Sequence, residues 1–275
     1  MTVSAKEVQE LRKISGAGMM ECKSALSDAN GNLDQAFKLL REKGIAKAEK
    51  KSLRDANEGL VAIKKEGNSA VMIKINSETD FVSRNAEFHE LVNSILEIVM
   101  KNKNDTDKSI EETKTLISDA VGKIGENIVL KSLKFLEGNI YSYIHNSVTE
   151  GMGKIGVLIN FNLDSSEIEN VGKNICMHIA ASSPKSLTVD DLDKSIIENE
   201  KEIISKQLKE TGKPENILEK MMEGKLNKFY EENTLMGQKF VMDPSISIEQ
   251  YLKQASKEIN SQINIQEFLR FEIGS

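Results

Sequence analysis

Asp80 and Phe81 stand side by side in the run Asn76-Ser77-Glu78-Thr79-Asp80-Phe81-Val82-Ser83, where a strand-like stretch stops and a long amphipathic helix has not yet begun. The acid offers charge and hydrogen-bond acceptors, and the ring offers bulk. Loops on a rigid scaffold often carry function. Two readings of the stretch are open. It is a tip presented to a partner, or Asp80 caps a helix starting near Phe81 while Phe81 and Val82 tuck inward. No second chemical centre competes with it. His89, His145 and His178 are the only histidines, and none has a nucleophile or a metal-ligand pattern of carboxylates at useful spacing. His89 and His178 fall in helices and read as packing or surface residues. Cys22 and Cys176 lie far apart, outside any C-x-x-C pattern, and read as buried thiols. Gly16-Ala17-Gly18 is not followed by Gly-Lys-Ser/Thr, which excludes a phosphate loop. No catalytic residue, metal site or cofactor is expected.

The totals bound the class. A chain of 275 residues, 39% hydrophobic and 29% charged, forms one large domain or two to three smaller ones with a substantial core. The net charge of -6 argues against broad phosphate-backbone binding, so a protein partner or small ligand is expected and direct nucleic-acid binding is not. Met1-Thr2-Val3-Ser4-Ala5-Lys6 lacks the features of a signal peptide, and no 18-residue apolar run occurs. The expectation is a cytoplasmic protein without membrane contact.

The elements that must hold the loop follow from periodicity. Ser4-Ala5-Lys6-Glu7 fits a capping box. Val8, Leu11 and Ile14 give helix one an apolar side, and Gly16-Ala17-Gly18 breaks it. Cys22, Ala25, Leu26 and Ala29 mark a second helix before an Asn30-Gly31 turn. Leu33, Ala36, Phe37 and Leu40 mark a third, which Gly44 is expected to end in a left-handed cap. The run from Ala46 to Asp55 reads as a helical linker. Up to Arg54 there are 11 Lys and Arg against 7 Asp and Glu, a charge of +4 that leaves -10 for the remainder. Spacing puts at least one of Met19 and Met20 in the core, although methionine also serves as an adaptable contact surface.

From Glu58 onward the chain reads as an internal duplication of an α+β unit. Strands at Gly59 to Lys65 and Ser69 to Asn76 precede a helix with Phe88, Leu91, Val92, Ile95 and Val99, a helix near Ile110 to Val121 and a strand near Asn127 to Leu136. Strands near Ile140 to His145 and Lys154 to Phe161 precede a helix with Ile168, Val171, Ile175 and Ile179, a helix near Ile248 to Glu258 and a strand near Ile263 to Ile273. Ala120, Ile124, Ile128 and Leu130 match Ala255, Ile259, Ile263 and Ile265 at a constant offset of 135. An antiparallel helical hairpin interrupts the second half. Its first helix is expected to start at Thr188-Val189-Asp190-Asp191 and run to Glu210. Thr211-Gly212-Lys213-Pro214 stops and restarts it, and Leu218, Met221, Met222 and Phe229 line the second helix. The hairpin either packs on itself or meets a second copy. From Asn76 to Phe88 is 12 positions and from Asn162 to Ile168 is 6, so the first half carries six extra residues, largely Ser77 to Val82.

Two stretches, Leu11-Arg12-Lys13-Ile14-Ser15-Gly16-Ala17-Gly18-Met19-Met20-Glu21-Cys22-Lys23 and Thr79-Asp80-Phe81-Val82, closely resemble the signature regions of bacterial translation elongation factor Ts. Lys123-Ile124-Gly125-Glu126-Asn127, Tyr143-Ile144-His145, Ile155-Gly156-Val157-Leu158, Met177-His178-Ile179-Ala180-Ala181 and Arg270-Phe271-Glu272-Ile273-Gly274 follow in the family's order. The resemblance implies a guanine-nucleotide exchange factor for elongation factor Tu, without covalent chemistry of its own. It implies a ubiquitin-associated-like N-terminal domain and a dimerising coiled-coil hairpin. It places Thr79, Asp80, Phe81, Val82 and Ser83 beside the Tu magnesium site, Arg12, Met19 and Met20 on the Tu nucleotide-binding domain, and His145 on another Tu domain. The expected bounds are 1–54 for the three-helix domain and linker, 55–138 and 139–184 with 233–275 for the core halves, and 185–232 for the hairpin. The chain ends at Ser275, so contacts of the further C-terminal module found in some members are not carried over. The connection Asn146 to Gly153 is less glycine-pure than is usual. A non-catalytic adaptor binding proteins through the three-helix domain is the alternative, and recovery of Tu from bacterial lysate separates the two.

Overall fold

A computed structural model of the chain describes residues 3–209, 211 and 214–275. It is α+β in class and divides into two compact units, Met1–Leu136 with Asn146–Ile155 and Phe271–Ser275, and Glu137–His145 with Gly156–Arg270.

The first unit opens with α1 (Ala5–Ser15), α2 (Met19–Asp28) and α3 (Leu33–Lys51). Ser4 and Glu7 make the expected capping box, and Gly16 closes α1 in the left-handed region at φ 67° while its N–H donates to the Arg12 carbonyl. Val8, Leu11, Cys22, Ala25, Leu26 and Ala36 are buried together. Ile14, expected on that apolar side, is instead 55% exposed at the end of α1.

Next come β1 (Glu58–Glu66), β2 (Ser69–Ser77), α4 (Ala86–Asn102), α5 (Thr106–Ile124) and β3 (Val129–Glu137), with β3, β2 and β1 adjacent in that order. β1 and β2 pair antiparallel without a break from Glu58↔Ser77 to Glu66↔Ser69. Alternate residues Val71, Ile73 and Ile75 of β2 share a buried cluster with Phe88, Val92, Ile95 and Val99 of α4, so a period of two meets a period of 3.6. α3 does not stop at Gly44. It runs on to Lys51 with Gly44 inside the helix, where a side chain at that position would meet no neighbour. A glycine permits a left-handed cap but does not impose one.

β4 (Asn139–Thr149) extends beyond the expected His145, and a turn at Glu150-Gly151, with Gly151 at φ 71°, leads into β5 (Met152–Phe161). The start of β5 pairs with β1 through Val61↔Gly153 and Ala62↔Met152. The second unit holds the first part of β4, the remainder of β5, α6 (Glu169–Ser182), α7 (Lys194–Lys209), α8 (Glu215–Asn233), β6 (Lys239–Phe240), β7 (Asp243–Ser247), α9 (Ile248–Glu258) and most of β8 (Ile265–Glu272), which pairs with β5. The expected helix start at Thr188 to Asp191 is instead a local turn, with Thr188 N and Oγ1 donating to Asp191 Oδ2. Asp193 starts α7, its carboxylate accepting from Ser195 N at 2.8 Å. Pro214 precedes α8 as its cap residue, while Glu210, Gly212 and Lys213 fall outside the described residues. α7 and α8 pack as the expected hairpin, with Ile204 and Leu208 buried and Lys225 Nζ reaching Gln207 Oε1 at 2.8 Å. The β6–β7 hairpin was not expected, being short and proline-bearing. Among the described residues no helix is long and apolar enough to cross a membrane.

His178 of α6 is buried, as a packing residue should be. Its Nε2 meets Gln238 Oε1 at 3.0 Å, and Val241 N donates to its Nδ1 at 3.3 Å, so Nε2 carries the proton of a neutral ring. Burial pushes its pKa down, opposed in part by the Gln238 hydrogen bond. The unfolded chain therefore binds this proton more readily. The ring's contribution to stability is complete above its ordinary value of about 6.5 and is lost as pH falls towards the depressed folded value. The thermal midpoint of the native chain should fall more between about pH 7 and about pH 5 than that of His178→Gln. Parallel curves would contradict this.

Candidate functional site

β2 ends at Ser77, and a single 3-10 turn at Val82–Arg84 leads into α4, so residues 78–81 form a tight bend between two packed elements. The helix-start reading of the stretch fails in two respects. No side chain caps the turn after Phe81, and α4 is capped by Asn85, whose Oδ1 accepts from Glu87 N at 2.8 Å. Val82 does tuck inward at 6% exposure, but Phe81 is 81% exposed. A phenyl ring left in water forgoes about 1.5–3 kcal/mol of burial. Asp80 beside it is exposed, and its carbonyl accepts the Ser83 hydroxyl at 2.6 Å.

The bend is held from below. Thr79 donates its backbone N–H and its hydroxyl to the two oxygens of Glu126, at 2.9 and 2.6 Å. Glu78 Oε1 accepts from Asn127 N at 2.7 Å and from the Arg54 guanidinium at 3.4 Å. Asn127 Nδ2 donates to the Arg54 carbonyl, and Asn76 Nδ2 to the Ala56 carbonyl, each at 2.7 Å. On the far side His89 Nε2 lies 2.8 Å from the Ser83 carbonyl, which fixes that nitrogen as the proton carrier. Hydrogen bonds to charged groups contribute about 1.5–3 kcal/mol each, so the anchors outweigh the freedom of so short a bend. Sequence reasoning missed Glu78, Glu126, Arg54 and His89 as anchors.

Asn76 is buried with no hydrogen-bond partner for its Oδ1 among the described residues, and Asn160 of β5 has the same orphan oxygen.

Arg12, Met19 and Met20 all lie at the surface of the first unit, with Met19 57% and Met20 73% exposed. The expectation that one methionine enters the core therefore fails. Both start α2, and Cys22, Ala25 and Leu26 occupy its inward face. Met20 lines an open cleft of about 610 Å3 with Ile14, Phe37 and Leu40, rimmed by Arg41 and Lys123. His145 belongs to the second unit, exposed on β4, with Tyr143 Oη 3.1 Å from its Nδ1. Val241 and Met242, between β6 and β7, are a further exposed apolar pair there, 44% and 50%, unforeseen from the sequence. Among the described residues no group of three His, Cys, Asp or Glu could hold a metal ion. The arrangement offers contact surfaces and a rigid tip.

Comparison with known proteins gives concordant matches. A family model described as Elongation factor TS matches residues 78–275. Elongation factor Ts of Bartonella bacilliformis is 44% identical over 290 residues, covering 100% of this chain and 94% of that protein. Elongation factor Ts of Paracoccus denitrificans is 44% identical over 266 residues, covering 94% and 90%. Elongation factor Ts of Rhizobium meliloti is 40% identical over 290 residues, covering 100% and 94%.

Proposed function

Since this chain belongs to the elongation factor Ts family and so acts in translation elongation, we propose that it binds elongation factor Tu carrying GDP and promotes GDP release, so that GTP rebinds. The observation that carries this reading is Phe81, 81% exposed on a bend that four separate side chains hold in place. Asp80 and Phe81 enter beside the Tu magnesium and phosphate site. The ring supplies bulk that shifts packed elements of Tu, and the carboxylate supplies charge near the loop that holds the metal. Magnesium tolerates little distortion of its oxygen shell, so a modest displacement there weakens nucleotide. Thr79, Val82 and Ser83 carry the tip.

Arg12, Met19 and Met20 hold the nucleotide-binding domain of Tu, and His145 another Tu domain, with Val241 and Met242 as a further grip. The chain exchanges nucleotide in the cytoplasm without covalent chemistry of its own. In the same reading the three-helix domain is ubiquitin-associated-like and the core is duplicated. In support, strand, strand, helix, helix, strand recurs in 58–137 and 139–272 once 185–232 and the short β6–β7 hairpin are set aside. Residues 185–232 would meet a second copy through exposed Ile203 and Ile217.

Linkage is reciprocal: a factor that binds empty Tu more tightly than loaded Tu weakens nucleotide by the same factor. GTP added to a purified complex of this chain with nucleotide-free Tu should therefore separate the two on gel filtration. A complex that persists at saturating GTP would sink the reading.

A further inference from the structure

The bonds beneath the Asp80-Phe81 tip form a reciprocal clasp. Glu78 sends its carboxylate to the backbone N–H of Asn127, and Glu126 sends its carboxylate back to the N–H and hydroxyl of Thr79, so adjacent pairs 78/79 and 126/127 exchange grips across 49 and 47 sequence positions. Asn127 and Glu78 also bind Arg54, which ties the clasp to the segment leaving the helical domain. Of these bonds, the Glu126 pair ends nearest the tip, on the residue just before Asp80. Glu126 is half-buried, which shields its hydrogen bonds from competing water. The Asp80 carboxylate itself makes no hydrogen bond or ion pair among the described residues, so the tip's orientation depends on its neighbours.

Resting on the exchange reading above, we propose that Glu126 is a positioning residue for exchange, which keeps Asp80 and Phe81 rigid enough to displace the Tu site. A wedge that yields spends its binding energy on its own ordering. One that is held passes that energy to its target.

The test uses the full chain with Tu and a fluorescent GDP. Glu126→Ala should lower the release rate at saturating chain by about tenfold while changing affinity for nucleotide-free Tu by less than about threefold. Glu126→Gln should restore most of the rate, because its amide can accept from Thr79 N and donate to Thr79 Oγ1. Thr79→Val, which loses only the hydroxyl bond, should fall between and serves if Glu126→Ala misfolds. In a background carrying both Asp80→Ala and Phe81→Ala, Glu126→Ala should cost nothing further, since neither side chain of the tip is left to position. An equal loss in both backgrounds, or an unchanged rate in the chain with Asp80 and Phe81 intact, overturns the positioning role. If the chain carrying Asp80→Ala and Phe81→Ala releases GDP at the native rate, the wedge part of the exchange reading fails and takes this one with it.

Discussion

Replacing Asp80 and Phe81 together by alanine should slow the loss of GDP from Tu by about 10-fold to 100-fold at saturating chain, without unfolding the protein. Stability should hold because both side chains are exposed, and exposed substitutions away from caps and cores change stability by about 0.5 kcal/mol or less. The helix that follows keeps its Asn85 cap, and Val82 keeps its place in the core. The rate should fall because the proposed wedge acts on the nucleotide site and not on the affinity of the complex as a whole. Each tenfold corresponds to about 1.4 kcal/mol of lost transition-state stabilisation, a reasonable share for one aromatic ring and one charge. Stopped-flow release of fluorescent GDP measures it, and a native rate for the double variant would remove the assignment.

Met19→Ala with Met20→Ala should do the opposite. Affinity for nucleotide-free Tu should weaken by about 10-fold to 100-fold, since a few apolar side chains usually dominate an interface. The release rate at saturating chain should stay near native. Neither methionine belongs to the buried cluster of Val8, Leu11, Cys22 and Leu26, so the free chain loses little by their removal. Titration calorimetry reads the affinity, and a native value would count against the contact. Together the two double variants separate grip from displacement.

Features built from near neighbours were legible in the sequence. The Ser4–Glu7 capping box, the break of α1 at Gly16 and the inward faces of α2 and α4 each depend on residues within a turn or two. Gly44 misled because a glycine permits a left-handed cap without imposing one, and α3 carries on through it to Lys51. Ile14 and one of Met19 and Met20 look like core by spacing, yet all three are exposed, and Ile14 and Met20 line an open cleft. At the site, the acid and aromatic pair stood out because a connection has no need of a large ring. Its anchors did not. Glu126 and His89 become meaningful only when the fold brings them to Thr79 and Ser83.

The central claim is that this chain accelerates nucleotide loss from Tu. Its most direct test is stopped-flow release of fluorescent GDP from a fixed amount of Tu–GDP as the intact chain is increased. The account predicts a rate that rises with chain concentration to a plateau far above the spontaneous rate. A rate that stays at the spontaneous value at every concentration contradicts it.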